Sequence, residues 1–178
     1  MEARFRPVLL FAASVALLTC QTLAQEKSPV RATRVTDRIA VLSGAGANIG
    51  VSIGGDGILL VDDGVAQRSA MVKAAVAALD PRPVKLVLNT NWHFDHADNN
   101  GVFASAGAVV LAHPKSRPHM LAEQRITEIE PPIIVGPYKP EALPVVTIDE
   151  PTVLHFNGDE IAALHVADAH SDGDLAYH

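Results

Sequence analysis

Hydrophobic and polar positions change period three times along this chain. Residues 38–43 (Arg-Ile-Ala-Val-Leu-Ser) form an apolar, strand-like run, and residues 48–53 alternate as a half-buried strand does. Gly54-Gly55-Asp56-Gly57 turns the chain, and residues 58–61 run into Asp62-Asp63-Gly64, so the opening reads as an antiparallel meander. Over residues 66–79 the spacing becomes helical, with Val72, Val76 and Leu79 on one face, until Asp80-Pro81-Arg82-Pro83 stops it. Residues 84–88 form a short apolar strand, followed by a polar, His-rich loop and a further strand at 108–111. Strand, helix, strand predicts an α/β fold.

Residues 130–144 carry five prolines and no period, which predicts a surface loop. Residues 153–156 and 161–166 flank Asn157-Gly158 as a hairpin, and the sequence stops at 175–178 in a strand-like segment. No repeat at solenoid spacing is present.

The N-terminus has a different character. Arg4 and Arg6 precede an uncharged apolar run at 8–18, and Thr22-Leu23-Ala24 places small residues where a signal peptidase cuts. The expected organisation is a signal peptide at 1–24, a polar linker at 25–36 and one domain at 37–178, in an exported protein that is periplasmic or secreted. The apolar run is too short for a stable membrane span. Cys20 is the only cysteine, so a chain cut after Ala24 must hold any metal with histidines and carboxylates.

Composition narrows the chemistry. At 48% hydrophobic and 19% charged the chain is globular, and a formal net charge of -6 with no basic run argues against a nucleic-acid partner and for a small-molecule substrate. It carries no signal for an oligomeric state. All eight histidines lie after position 92, which draws attention to the second half.

Residues 89–96, Asn-Thr-Asn-Trp-His-Phe-Asp-His, put four potential ligands in their last six positions at the end of a buried strand. In extended chain Asn91 and His93 face one point, and a turn after Phe94 swings Asp95 and His96 toward a second. Thr90-Asn91-Trp92-His93-Phe94-Asp95-His96 resembles the Thr-His-x-His-x-Asp-His signature of the metallo-β-lactamase-fold hydrolases, and His170, in a polar loop after the hairpin, resembles their later single histidine. The resemblance implies the first half of an αββα sandwich, incomplete at its C-terminus because the family's bridging carboxylate and final histidine find no counterpart before His178. It implies His93, Asp95, His96 and His170 as metal ligands, zinc as one or two ions ahead of iron, and a metal-activated hydroxide attacking an ester, thioester, lactone or β-lactam carbonyl. Asp95 would be the catalytic carboxylate. Asn91 stands where the family carries a histidine, as a weak ligand or as a residue that holds the loop, and Asp62 stands at a strand end where the family carries an acid that supports the metal loop from behind, with capping of the turn as the equal alternative.

The alternative within the family is a truncated, non-catalytic relative that binds metal weakly. A dinucleotide site at Gly44-Ala45-Gly46 is set aside, because residues 48–53 alternate as a strand rather than opening a helix. Cleavage after Ala24 is the expected processing event. Intact mass of protein recovered from the exported fraction reads it directly, and a retained leader or a lipid on Cys20 would exclude it.

Overall fold

The computed structural model describes residues 29–127 and 130–178, so the expected signal peptide and residues 25–28 of the expected linker lie outside the described residues. The described chain opens with β1 (Arg31–Arg34), β2 (Ile39–Ala45), β3 (Ala47–Gly54) and β4 (Gly57–Val61), each antiparallel to the next, which is the expected meander with one strand added. That strand corrects the linker at its end, since Arg31–Arg34 pairs with residues 40–43. All four of its residues are exposed on the sheet edge, so nothing buried imprints an alternation on its sequence.

A 3-10 turn (Ala66–Arg68) leads into α1 (Ser69–Leu79), then β5 (Val84–Leu88). The loop expected after it is partly helical, with α2 (Phe94–Ala97) and α3 (Asn100–Ser105) preceding β6 (Val109–Ala112) and α4 (Ser116–Leu121). Two strands, β7 (Gln124–Ile126) and β8 (Ile133–Val135), pair as a small hairpin, so the expected surface loop at 130–144 contains a strand and, at Pro140–Ala142, a 3-10 turn. Elements of three to six residues are too short to establish a period, which is why the sequence pattern passed over them. β9 (Val146–Thr147), β10 (Thr152–Phe156), β11 (Asp159–His165) and β12 (Leu175–Tyr177) complete the order.

Seven strands form one sheet in the order β1-β2-β3-β4-β5-β6-β9, antiparallel up to β4 and parallel beyond it. The chain is a layered α/β sandwich, and period-two alternation along its central strands explains the layers. Ile58 and Leu60 of β4, Val87 of β5 and Val110 of β6 pack with Val72 and Val76 of α1 and Phe103 of α3 on one face. Leu59, Leu88 and Leu111 pack on the other face with Ala163 and Leu175 of the three-stranded sheet β10-β11-β12. Strands covered on both sides must be apolar throughout, and each buried Leu or Ile contributes about 1.5–3 kcal/mol. Among the described residues no helix is long and apolar enough to cross a membrane.

The hairpin at 157–158 is where expected and clamps the two sheets together. Asn157 (φ 57°) and Gly158 (φ 80°) are both left-handed, the requirement of the tight two-residue turn that suits a twisted hairpin. The buried Asn157 amide donates to Ser52 Oγ at 3.0 Å and to the Gly57 carbonyl at 3.2 Å, and its Oδ1 accepts from Asp56 N at 3.0 Å. Arg38 adds a bond to the Asn157 carbonyl and an ion pair with Asp159 at 2.8 Å. Asn157→Ala should cost about 3 kcal/mol, from buried groups left unpaired and a left-handed position given to alanine. Asn157→Gly, which keeps the backbone freedom, should cost less. Urea unfolding tests both, and a loss below about 1 kcal/mol for the alanine variant would contradict this account.

Candidate metal centre

Two adjacent parallel strands deliver the site at their carboxyl ends, where β4 finishes at Val61 and β5 at Leu88. Asp62, the next residue, is left-handed (φ 63°) and its N–H donates to the Leu88 carbonyl at 2.8 Å. This turn aims a buried carboxylate across the top of β5. Its Oδ1 accepts from Thr90 N at 2.7 Å, Thr90 Oγ1 stands 2.8 Å from Oδ2, and His96 Nδ1 donates to Oδ2 at 2.8 Å. Because an ionised carboxylate only accepts, His96 carries its proton on Nδ1 and keeps the Nε2 lone pair free. His96 Nε2 in turn lies 3.4 Å from Asp95 Oδ2. Burial, the largest single influence, opposes the charge on this imidazole, but the bond to Asp62 and the charges of Asp62, Asp95 and Asp174 together outweigh it and hold the His96 pKa above its ordinary value.

Beneath α2 lies a frame of buried amides that the sequence pattern did not reveal. Asn89 and Asn100 exchange side-chain bonds at 3.1 and 2.8 Å, and Asn89 Nδ2 also donates to the His96 carbonyl at 3.3 Å. The Asn99 amide donates to the carbonyls of Asp63, Gly64 and Val65, while Asn99 N donates to Asp63 Oδ1 at 2.9 Å. Asp63 N donates to the His96 carbonyl at 2.9 Å. Full burial holds the Asp63 carboxyl well above the usual carboxylate range. The available signal was Asn99-Asn100 directly after the ligand run, since amides in an interior need partners.

His93 precedes α2, and its ring faces His170 with centroids 4.6 Å apart. Burial first, and the neighbouring His170 second, hold the His93 pKa below its ordinary value, favouring the neutral imidazole that ligates metals. His170 is exposed on the loop between β11 and β12, where the Asp174 carboxylate accepts from His170 N at 2.5 Å and from Ser171 Oγ at 2.5 Å. Leu175 N donates to the Thr90 carbonyl at 2.7 Å, which ties this loop to the one bearing His93. Asn91 spends its Oδ1 on His93 N at 2.9 Å, the arrangement of a loop-holding residue.

The four predicted ligands thus stand as two pairs, His93 with His170 and Asp95 with His96. Among the described residues no group of three or more His, Cys, Asp or Glu is placed to hold a metal ion. Their donor chemistry nevertheless fits zinc: neutral or carboxylate-anchored imidazoles with a carboxylate beside them. His93, Asp95 and His170 line a cavity of about 600 Å³ together with Trp92, Phe94 and three residues of β7, Gln124, Arg125 and Ile126. Of the remaining histidines, His155 is exposed near Glu160, whereas His113 is buried and stacks on His165 at 3.9 Å.

A family model described as the metallo-beta-lactamase superfamily matches residues 44–178. No curated protein matches the chain. Among solved structures, the subclass B3 metallo-beta-lactamase BJP-1 of Bradyrhizobium japonicum superposes with a TM-score of 0.64 at 21% identity, covering 85% of this chain and 57% of that one. The subclass B3 enzyme MEM-A1, from a soil metagenome library, gives a TM-score of 0.67 at 18% identity, covering 85% and 58%. A Cronobacter sakazakii metallo-beta-lactamase with a mutated HARLDQ motif gives 0.68 at 16% identity, covering 84% and 59%. At these identities the likeness is one of fold, and the chain spans less than three fifths of each of these relatives.

The Asp62 bonds predict a measurable change in His96. In metal-free protein, Asp62→Asn removes the charge and leaves burial, so the His96 pKa should fall from above its ordinary value to below it, as read by NMR titration of the imidazole protons. A folded pKa above the unfolded one gives stability that is present at low pH and lost as pH rises through the folded value. The stability gap between wild type and variant should therefore narrow as pH rises past that point. A gap that widened instead would rule out the Asp62–His96 ion pair.

Proposed function

We propose a function from one premise: this chain belongs to the metallo-beta-lactamase superfamily, whose fold fits a metal-dependent hydrolase. The reading is a zinc-dependent hydrolase of a small molecule carrying an ester, thioester, lactone or β-lactam bond, acting outside the cytoplasm. The observation that carries it is the orientation of His96 by the buried Asp62 carboxylate, beside Asp95 and next to a cavity that His93 and His170 share.

His93 and His170 would hold one zinc ion, and Asp95 and His96 would contribute to a second. Zinc, when bound, supplies a Lewis acid that brings the pKa of a coordinated water to ~7. The rest falls to the chain itself. Asn91 fixes His93 through its backbone N–H, and Asp62 keeps the His96 lone pair turned outward. Asp95, partly exposed at the cavity wall, would orient the attacking water, accept its proton and then pass that proton to the leaving group. Trp92, Phe94 and Ile126 offer apolar walls that exclude bulk water from the reacting carbonyl.

A second reading is a weak metal binder without catalysis, and the arrangement of the ligands as pairs rather than as a group of three favours it. One set of measurements separates the two. Elemental analysis after gentle purification should find zinc above iron, at less than one ion per chain, and His93→Ala should lose most of it. Chelator-sensitive hydrolysis of a generic ester or lactam reporter would support the enzyme, and zinc binding without hydrolysis the binder. Zinc content unchanged in His93→Ala would refute both.

A further inference from the structure

We infer that helix α4 is the platform that positions His170, with His119 as its positioning residue; the inference rests on the reading of His93 and His170 as a metal-holding pair. His170 needs such a platform because its own loop gives it little packing. Residues 166–170 are all exposed, and Asp168 takes a left-handed φ of 55°. A histidine on an unanchored loop would have to be ordered each time a metal bound, at about 0.5–1.5 kcal/mol for the side chain alone.

Two contacts bring the far side of the loop onto α4. Gly173 is buried against the helix start, where an added Cβ would stand 2.9 Å from Ser116 Oγ and 3.3 Å from Ser116 N. One residue earlier, the Asp172 carboxylate lies 3.1 and 3.3 Å from His119 Nε2, and the Asp172 carbonyl lies 3.1 Å from His165 Nε2. The loop is thus held from α4 and from β11 at a point two residues beyond His170.

The same imidazole reaches the other half of the pair. The His119 ring stacks on Trp92 with centroids 4.3 Å apart and planes at 14°, and Trp92 meets the His93 ring at 4.2 Å. Trp92, His119 and Asp172 therefore form a chain of contacts from His93 to the His170 loop. His119 does not line the cavity, and Asp172 and Trp92 engage its Nε2 and its face, so it acts through its neighbours rather than as a ligand. Its place 53 residues before Asp172 couples the two loops across the fold.

The test uses the whole chain and zinc alone, with affinity measured by competition against a chromophoric chelator and coordination by the visible spectrum of the Co(II)-loaded protein. His119→Ala should weaken zinc about tenfold, at the lower end of what supporting partners of metal ligands contribute, and should change the Co(II) bands. His119→Gln keeps an N–H for Asp172 and should recover part of the loss. Asp172→Asn, at an exposed position where misfolding is not at stake, should also weaken zinc. His119→Ala combined with Asp172→Asn should lose no more than the worse single variant, since both cut one connection. His155→Ala, on the exposed face of β10, is the control without effect. Zinc affinity and Co(II) bands unchanged in both His119→Ala and Asp172→Asn, while His93→Ala loses zinc, would overturn the positioning role. Zinc binding indifferent to His93→Ala would instead overturn the metal pair on which the role rests.

Discussion

The site depends on one buried carboxylate. Asp62 leaves the end of β4 in a left-handed conformation and meets Thr90 and His96, which lie 28 and 34 residues further along the chain. A charge in that position is tolerable only if its lone pairs are filled, and the Thr90 amide, the Thr90 hydroxyl and the His96 imidazole fill them. The bonds work in both directions. They compensate a carboxylate that burial would otherwise expel, and they select the tautomer and orientation of a histidine that the site needs with its other nitrogen free. Without them the backbone of the run would still be held by Asn89, Asn91 and Asp63, but nothing would orient the His96 ring.

The fold makes this meeting possible because β4 and β5 are parallel neighbours. Their carboxyl ends emerge side by side, so a residue one step beyond β4 can reach the chain two steps beyond β5. The three-stranded sheet then brings the remaining histidine. Leu175, at the start of β12, is buried with Leu59, Leu88 and Leu111, and its N–H is bonded to the Thr90 carbonyl. Apolar packing between the sheets thereby places the loop that ends at Asp174 beside the loop that begins at Asn89. The Asn157 turn fastens the opposite end of the same sheet to β3 and β4, so the small sheet is held at both ends and the His170 loop is the part left adaptable.

What could be read in the sequence was whatever is local. The meander, α1, β5 and the Asn157-Gly158 hairpin each carry a period or a turn signal within a few residues, and all are present. The ligand run was legible for the same reason, since Thr90 to His96 is a single short segment with a telling order of residue types. Its support was only half legible: Asp62 was singled out by its place at a strand end, but Asp63, Asn89, Asn99 and Asn100 act through partners up to 36 residues away, which no spacing rule reveals. Asn91 was open between two roles because an amide can ligate or cap, and its bond to His93 N shows the capping one. β1 was unreadable for another reason, since an edge strand with every side chain in water is selected by its backbone bonds alone.

The two proposed ligand pairs, His93 with His170 and Asp95 with His96, differ in how firmly they are built. His96 is fixed by Asp62 and by a helix whose carbonyl is held from Asn89 and Asp63, so its position precedes any metal. His170 is fixed at one remove, through Asp174, Gly173 and Asp172, on a loop whose preceding residues are exposed. If these residues hold a metal as proposed, it would meet one half already ordered and would have to order the other, so the ordering cost of binding would fall on the His170 side. Contacts that stiffen the loop in advance raise affinity by removing that cost, whereas contacts that stiffen His96 further gain nothing, because nothing there remains to be ordered. On the proposed reading, affinity would thus be governed from the loop, and the position of the chemistry from the strand end.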